Sequence, residues 1–290
     1  MKDLFGKSYR KRPVSFVIKE ILSAYKFTRN IYFVDNNFAG KTDNNLKETR
    51  DLLRLIIKEN LSIKASAFVT IDIAKNSELL FLMKSAGIKL LMIGFESIDR
   101  RSLEIYHKNQ TPSEMEKNIK ILKKDFIILG SFMAGMNGED EYSISHTVSL
   151  AMKWGIDQLY YFVLSPYPSM REIVDANRVF LTNWDYGTGT HIYFFPKNIP
   201  PSKLQNSIIV ANKSFYSYRR IFSSIITFKW KRGLNLFLRR ILFNEIFNLL
   251  KNEYIPFLED LEMEYYEQDK LNMRVLNEKT ITKMSYWDKF

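Results

Sequence analysis

The segment KLLMIGFES, residues 89–97, decides the fold, because an apolar run of strand length ends in a carboxylate and a hydroxyl. Apolar residues on both faces are typical of a buried parallel strand. The same pattern occurs in IYFV at 31–34, which is followed by Asp35, and in QLYYFVL at 158–164, which is followed by Ser165. Repeated buried strands with polar exits predict one parallel sheet with a site at its carboxyl-terminal edge.

Helical patterns separate these strands. Apolar spacing predicts helices over 44–60, 76–86, 113–124 and 141–154, with Asn44 as a candidate N-cap and Gly87 as a stop signal. Further strands are predicted over 63–71 and 126–133. Together these elements make five β/α repeats of roughly 30 residues, whose crossover connections should be right-handed. The residues therefore predict the α/β class.

The character of the chain changes after residue 170. Residues 171–200 are rich in turns and aromatic residues, and helical patterns follow over 200–216 and 232–252. The residues after 259 carry mixed charge and are expected to be peripheral. We expect two domains, a β/α domain over 1–170 and a mostly helical accessory domain over 171–290.

Composition excludes several classes of site. The 290 residues carry 43 Lys and Arg against 32 Asp and Glu, a formal charge of +11, and they include no cysteine and three histidines. Disulfides, a cysteine nucleophile, cysteine-bound zinc and an iron–sulfur cluster held by these residues are excluded. The positive charge is spread along the chain, so no specific nucleic-acid partner is expected. No apolar run reaches the ~18 residues of a membrane span, and no signal peptide is recognised, so a cytoplasmic location is expected.

Three polar groups are candidates for ligand binding. Asp35, Asn36 and Asn37 follow a strand and could bind an amine or a metal, although such residues are also common turn formers. Glu96 and Ser97 could accept hydrogen bonds from a ribose, with Lys108 as a partner for a ligand carboxylate. The alternative is a helix cap and a solvated lysine.

The third group is the glycine turn from Gly130 to Gly135, with Glu139 after it, where backbone can approach a ligand closely or simply turn. The residues also leave open a hydrolase that uses Asp35, Glu96 and Glu139. The run Tyr160-Tyr161-Phe162 favours core packing over a stacking platform. The basic and apolar stretch around Lys229 to Arg240 could touch phosphates or lipid headgroups, but an ordinary solvated face is favoured.

Taken in order, five motifs resemble the radical SAM superfamily, and more closely its branch with cobalamin-binding domains. A sixth segment resembles the domain that follows the barrel in part of that branch. The motifs are FVDNNF (33–38), FVTIDIAKNSELLFLMKSAG (68–87), LLMIGFESIDRRSLEIYHK (90–108), GSFMAGMNGE (130–139) and LSPYPSM (164–170), and the sixth segment is NWDYGTGTHIYFFPKNIPPSKL (183–204).

The resemblance implies a partial (β/α)6 barrel of parallel strands, here with the first strand missing, and a mostly helical C-terminal extension. It implies S-adenosylmethionine (SAM) as a cofactor, with a 4Fe–4S cluster and cobalamin in full-length relatives, and a small-molecule or lipid-like substrate. The positions that match the family's SAM contacts are Asp35, Asn36 and Asn37 for the amino group, Glu96 and Ser97 for the ribose, Lys108 for the carboxylate, and Gly130, Ser131, Gly135, Ser165 and Pro166 near the adenine.

The chain departs from the family pattern in lacking the CxxxCxxC loop that holds the cluster. We therefore expect a truncated radical SAM protein that is inactive alone, arising from a shortened gene prediction, a split gene or a decayed copy. A separate polypeptide carrying the missing N-terminal part is the partner this implies. The alternatives are a non-catalytic SAM-binding scaffold and the carboxylate- or metal-dependent hydrolase.

Overall fold

A computed structural model of the protein describes residues 12–40, 42–105, 110–165, 178–181 and 189–271, with side chains described as far as Tyr265. Its centre is one sheet of five parallel strands that lie side by side in chain order. The strands are β1 (Asn30–Phe33), β2 (Lys64–Val69), β3 (Ile88–Glu96), β4 (Ile127–Ala134) and β5 (Gln158–Val163). The predicted α/β class and parallel sheet are confirmed.

Helices cross between the strands and continue after the last one. Those of the β/α part are α1 (Val14–Tyr25), α2 (Asp43–Lys58), α3 (Ser77–Ser85), α4 (Arg100–Ile105), α5 (Pro112–Leu122) and α6 (Ser143–Lys153). Later helices are α7 (Pro201–Phe215), α8 (Tyr218–Ile226), α9 (Trp230–Leu249) and α10 (Ile255–Leu271), with a π-helical turn over Leu250–Tyr254 joining the last two. Within the described residues, no helix combines the length and apolar character needed to cross a bilayer.

Local signals explain where the helices begin and end. The N-cap of α2 is Thr42, whose Oγ1 accepts a hydrogen bond from the Asn45 N–H at 3.3 Å, so the prediction of Asn44 was wrong. Thr42 is the residue directly before the helix, whereas Asn44 already lies in the first helical turn. Gly87 ends α3 as predicted, with a φ of +87°.

Successive residues of each strand face opposite sides of the sheet. The side covered by α1 to α6 is closely packed, and Phe95 and Phe132 stack there with their ring centroids 5.3 Å apart. The other side is the concave face, which carries, row by row across the sheet, Tyr32 with Ser66 and Leu90, Phe68 with Met92 and Leu129, and Gly94 with Ser131 and Tyr160. The concave face is therefore mostly apolar.

The helices after β5 belong to the same core as the sheet. Phe215, Tyr216 and Leu236 lie in one continuous cluster of buried residues with the strands. Residues 259–265, the described part of the end predicted to be peripheral, are exposed or half-buried, and Glu262 in this segment accepts hydrogen bonds from Ser202. The predicted domain boundary near residue 170 lies outside the described residues, so the division into two domains stays a prediction.

Tyr216 joins the C-terminal helices to the sheet. Its hydroxyl donates to the Leu159 carbonyl at 2.9 Å and accepts from the Leu159 N–H at 3.0 Å, in a buried position. One side chain thus satisfies both backbone groups of a residue on the outer edge of β5.

We predict that Tyr216→Phe lowers the free energy of unfolding by about 1–3 kcal/mol, because two buried backbone groups lose their partner. Urea denaturation followed by circular dichroism measures this change. Tyr218→Phe is the matched control, since Tyr218 is exposed and its variant should match the wild-type protein. An equal loss of unfolding free energy in the two variants would contradict the stabilising role of the hydrogen bonds between Tyr216 and Leu159.

Candidate functional site

The carboxyl ends of the five parallel strands meet at one edge of the sheet, as predicted for the site. Asp35 follows β1, Glu96 ends β3, and Ser165 follows β5. Lys108 and Pro166 lie outside the described residues, so their predicted contacts with the SAM carboxylate and adenine stay predictions.

Glu96 is held in a conformation that few residues adopt. Its φ is +63°, and the pairing of β3 with β4 shifts register between Gly94 and Glu96. A left-handed conformation costs a non-glycine residue about 1 kcal/mol. The carboxylate folds back over Gly94, where an added Cβ would lie only 3.1 Å from Glu96 Oε1. The strain therefore places a carboxylate on the concave face, at the end of the central strand.

Ser131 lies beside this carboxylate, because it pairs with Gly94 in the sheet register. Its side chain is mostly buried and belongs to the same face. Ser97 differs, since its Oγ accepts a hydrogen bond from the Asp99 N–H at 3.0 Å and so shapes the turn into α4. The structure gives Ser97 this local role, and its contact with a ribose stays a prediction.

The two glycines of the β4 motif face other parts of the protein. At Gly130 an added Cβ would meet Phe132, Ile156 and Phe95 at 3.1–3.2 Å, on the helix-covered side of the sheet. Gly135 has a φ of +94°, and an added Cβ would lie 2.8 Å from the Phe194 ring. Both positions have packing reasons for glycine, so an approach of their backbone to adenine stays a prediction.

The loop after β1 presents polar groups from an anchored turn. Asp35 and Asn36 are exposed, while Asn37 Nδ2 donates to the Gly40 carbonyl at 3.2 Å. The Phe38 N–H donates to the Phe68 carbonyl at 2.8 Å, which ties the loop to β2. Asn37 thus acts as a turn former, as the alternative interpretation allowed, and Asp35 and Asn36 remain directed to solvent at the site edge.

Glu139 is a buried carboxyl group beneath the turn that follows β4. Its Oε2 accepts hydrogen bonds from the Gly135 N–H at 2.7 Å and the Met136 N–H at 3.1 Å. Burial, with a smaller contribution from the neighbouring Asp99 and Asp140, outweighs these two hydrogen bonds and raises the pKa of Glu139 to about 8. Its observed contacts are with the backbone that positions the site.

The carboxylates proposed for a hydrolase do not form a metal site in the described part of the chain. There, no three His, Cys, Asp or Glu side chains are grouped so that they could hold a metal ion. Glu139 is buried and bonded to the turn, whereas Asp35 is exposed in the loop after β1. The observed arrangement gives the hydrolase alternative no support.

Several residues of the concave face were missed by the sequence analysis. The interpretation of Tyr160-Tyr161-Phe162 as core was right only for Tyr161, which is buried and donates to the Ile144 carbonyl. Tyr160 and Phe162 lie on the concave face with their ring centroids 4.6 Å apart, and Phe162 is exposed. The alternation of strand side chains was the signal that separates these neighbours. Beside the polar edge, the protein therefore presents an aromatic surface.

Comparison with known proteins shows which family the sequence of this chain matches. A sequence profile described as "Radical SAM superfamily" matches residues 4–151. Two relatives are an uncharacterized methyltransferase of Pyrococcus horikoshii, 30% identical over 218 residues, and the bacteriochlorophyllide d C-12(1)-methyltransferase of Chlorobaculum tepidum, 25% identical over 222 residues. Each alignment covers 73% of this chain, and 46% and 47% of the relatives. The chain thus spans about half the length of these curated relatives.

Among solved structures, the apo form of the cobalamin-dependent SAM radical enzyme OxsB is similar in fold. The superposition has a TM-score of 0.52 at 14% sequence identity and covers 98% of this chain and 50% of that one. At this identity the likeness shows the fold alone. It confirms the partial-barrel architecture, and it includes the helices after β5.

We predict that the stability of the protein falls as pH rises from about 4.5 to 8 through ionisation of Glu139. A carboxyl with a raised pKa in the folded state stabilises it fully below the unfolded pKa of 4.5 and loses this contribution as pH rises towards 8. Urea denaturation at pH 5, 6, 7 and 8 should show the wild-type protein losing up to about 1.4 kcal/mol per pH unit relative to Glu139→Gln. The control is Glu141→Gln, on an exposed side chain. Parallel pH profiles for the wild-type protein and Glu139→Gln would contradict the assignment.

Proposed function

The chain belongs to the radical SAM superfamily, and from this premise we propose that it binds SAM at the carboxyl ends of its parallel strands. The observation that carries the proposal is Glu96, a strained residue whose carboxylate lies over Gly94 at the end of the central strand. A carboxylate at this position can accept hydrogen bonds from the hydroxyls of a ribose. Strain of this kind is found where function requires a particular side-chain direction.

The other proposed contacts lie around this carboxylate. Asp35 and Asn36 are exposed at the exit of β1, where an acceptor can bind an ammonium group such as the SAM amino group. Asn37 supports that loop through its bond to Gly40. Ser131 lies within β4 beside Gly94, and Ser165 follows β5, on the side proposed for adenine. Family resemblance adds Lys108 and Pro166 to this set.

The iron–sulfur cluster of the family does not fit the residues of this chain. Thiolates hold such clusters, and the 290 residues contain no cysteine. We therefore propose that this chain alone is inactive in reductive SAM cleavage. In an active assembly, thiolate ligands would come from polypeptide outside these residues, either a longer form of the protein or a separate partner.

The proposed activity of such an assembly is cobalamin-dependent methylation or another radical modification of an organic substrate. The concave face supports an apolar substrate, because Phe68, Met92, Tyr160 and Phe162 lie next to the polar site edge. One relative is by name a bacteriochlorophyllide methyltransferase. We therefore propose a lipid-like or tetrapyrrole-like substrate. We also propose a cytoplasmic location for the protein.

A second candidate function is a SAM-binding scaffold without catalysis. The lack of cysteine favours it, because the strand-end residues can contact SAM whether or not a cluster is supplied. The two candidates share the SAM site and differ in whether a thiolate-bearing polypeptide joins it. Both therefore depend first on SAM binding.

We predict that Glu96→Gln weakens SAM binding by about tenfold or more, because it removes a charge-assisted acceptor. Equilibrium dialysis with labelled SAM measures the dissociation constant. The matched control is Glu59→Gln, an exposed carboxylate at the end of α2. Glu96→Gly is a second variant, expected to raise the melting temperature by relieving the positive φ while it weakens binding. Unchanged SAM binding in both Glu96 variants would refute the proposed site.

Reconstitution with iron and sulfide tests whether the chain holds a cluster by itself. We expect no 4Fe–4S absorbance or paramagnetic signal after desalting, and no 5′-deoxyadenosine on addition of SAM and dithionite. If an assembly is formed, addition of a polypeptide that carries the CxxxCxxC loop should produce both the cluster signal and 5′-deoxyadenosine. A stable cluster in the chain alone would overturn the proposed inactivity, and SAM binding without any restoration would favour the scaffold.

A further inference from the structure

The helical hairpin of α8 and α9 ends in a projecting tip that combines apolar and basic side chains. We call Ile226, Phe228, Lys229, Trp230 and Lys231 the hairpin tip. Phe228 is 92% exposed, Ile226 75% and Trp230 64%. Large apolar side chains left this open to water in one place are typical of an interaction surface.

The tip has a defined backbone structure. The Phe228 N–H donates to the Ile225 carbonyl at 3.0 Å, and the Lys229 N–H donates to the Ser224 carbonyl at 2.8 Å. These two bonds form the Schellman motif, which ends α8. At the crossing of the two helices, an added Cβ on Gly233 would lie 2.8 Å from Ile225 Cγ1, so the helices pack closely there. The backbone of the hairpin tip is therefore held in a defined position by the two packed helices.

Phe228 occupies a position that normally takes glycine. Its φ is +56°, the left-handed conformation of the residue that ends a Schellman motif. A bulky aromatic residue is disfavoured there, and its ring gains almost no packing within the protein. Neither backbone preference nor the core explains this aromatic side chain, which points to a contact outside the molecule.

The apolar surface continues from the tip along both helices. On α8, the exposed side chains Phe222, Ile225 and Ile226 recur at helical spacing. On α9, an exposed stripe follows Trp230 through Leu234, Leu238, Ile241 and Leu242. A planar apolar medium could contact both stripes and the tip together.

The same hairpin concentrates positive charge. Residues 218–249 contain seven Lys and Arg and one acidic residue, Glu245, so 7 − 1 gives +6 of the chain's +11. Some of these cations have internal partners, since Arg220 binds the Ile156 carbonyl and Arg232 lies 3.7 Å from Asp157. Lys229 and Lys231 are exposed, and within the described residues neither has a carboxylate within 4.0 Å. The tip thus presents two cations beside its aromatic rings.

We propose that the hairpin tip docks on the surface of a bilayer that contains anionic lipids. Phe and Trp insert at the level of the headgroups, and flanking lysines are attracted to anionic lipids there. Charge complementarity favours this occupant over a neutral apolar partner. The interaction is peripheral, and it rests on observations independent of the proposed SAM site. The ordinary solvated face favoured from sequence does not account for the exposed Phe228.

The test is sedimentation of the full 290-residue chain with vesicles of equal parts phosphatidylglycerol and phosphatidylcholine, at low salt. We expect co-sedimentation with these vesicles and at least tenfold weaker binding to pure phosphatidylcholine. Phe228→Gly should weaken binding about tenfold, because the inserted ring is lost. The same variant should raise the melting temperature, because it relieves the positive φ. A loss of binding in a more stable protein cannot result from misfolding.

Controls with matched exposure lie elsewhere on the surface. Phe27 is 88% exposed, and Phe27→Gly should leave vesicle binding unchanged. Lys229→Glu with Lys231→Glu should abolish binding to the anionic vesicles, whereas Lys117→Glu with Lys124→Glu reverses the same amount of charge and should reduce binding less than twofold. Because the chain has four tryptophans, Trp230→Phe identifies the signal: tryptophan emission should shift to shorter wavelength with the anionic vesicles in the wild-type protein, and this shift should be lost in Trp230→Phe.

Three outcomes would overturn the proposal. The first is no binding to the anionic vesicles, and the second is an equal loss of binding in the tip variants and their controls. The third is capture of the tip by another partner, either a dimer seen by analytical ultracentrifugation and lost in Phe228→Gly, or retention by an oligonucleotide without retention by vesicles. SAM affinity, measured in parallel, should be the same in the tip variants, which separates this proposal from that of the SAM site.

Discussion

The double hydrogen bond between Tyr216 and the backbone of Leu159 is the contact on which the arrangement of the two parts of the chain depends. A parallel sheet that ends at β5 leaves backbone groups that require partners, since burying them unpaired costs free energy. Tyr216 supplies both partners at one residue, and Arg220 binds the Ile156 carbonyl just before the strand. The helices after β5 therefore complete the sheet edge and are positioned by it.

This contact also places α9 beside the concave face. Gln158, the first residue of β5, donates to Asn235 on α9 at 3.2 Å, and Phe243 lies 6.0 Å from Tyr160 between ring centroids. The helix α9 thus packs against one end of the concave face, and its opposite side carries exposed leucines and isoleucines. A single helix connects the apolar face proposed for substrate to the apolar face proposed for lipid. A substrate that partitions into a bilayer would meet both surfaces on the same element.

The parts of the fold that could be predicted from sequence depend on short-range signals. Apolar runs marked the five strands, and Gly87 marked the end of a helix. The edge contact of Tyr216 could not be predicted, because it joins residues 57 positions apart through one hydroxyl. The short helix α8 was missed although its apolar residues, from Ile221 to Ile226, recur at helical spacing. What the spacing does not reveal is that most of this apolar side is exposed rather than packed on the core.

The geometry of the candidate site could also be predicted only in part from short-range sequence signals. Sequence placed Glu96 at a strand exit, but its positive φ depends on the register shift between Gly94 and Glu96, which no local pattern reveals. Of the described non-glycine residues with positive φ, Asn60 is of a type that tolerates this conformation, whereas Glu96 and Phe228 are not. The two disfavoured residues lie at the edge of the proposed SAM site and at the hairpin tip. Local preference is therefore overridden at the two places where a side chain is directed away from the core and towards a proposed partner, which is the pattern expected when binding rather than folding selects the residue.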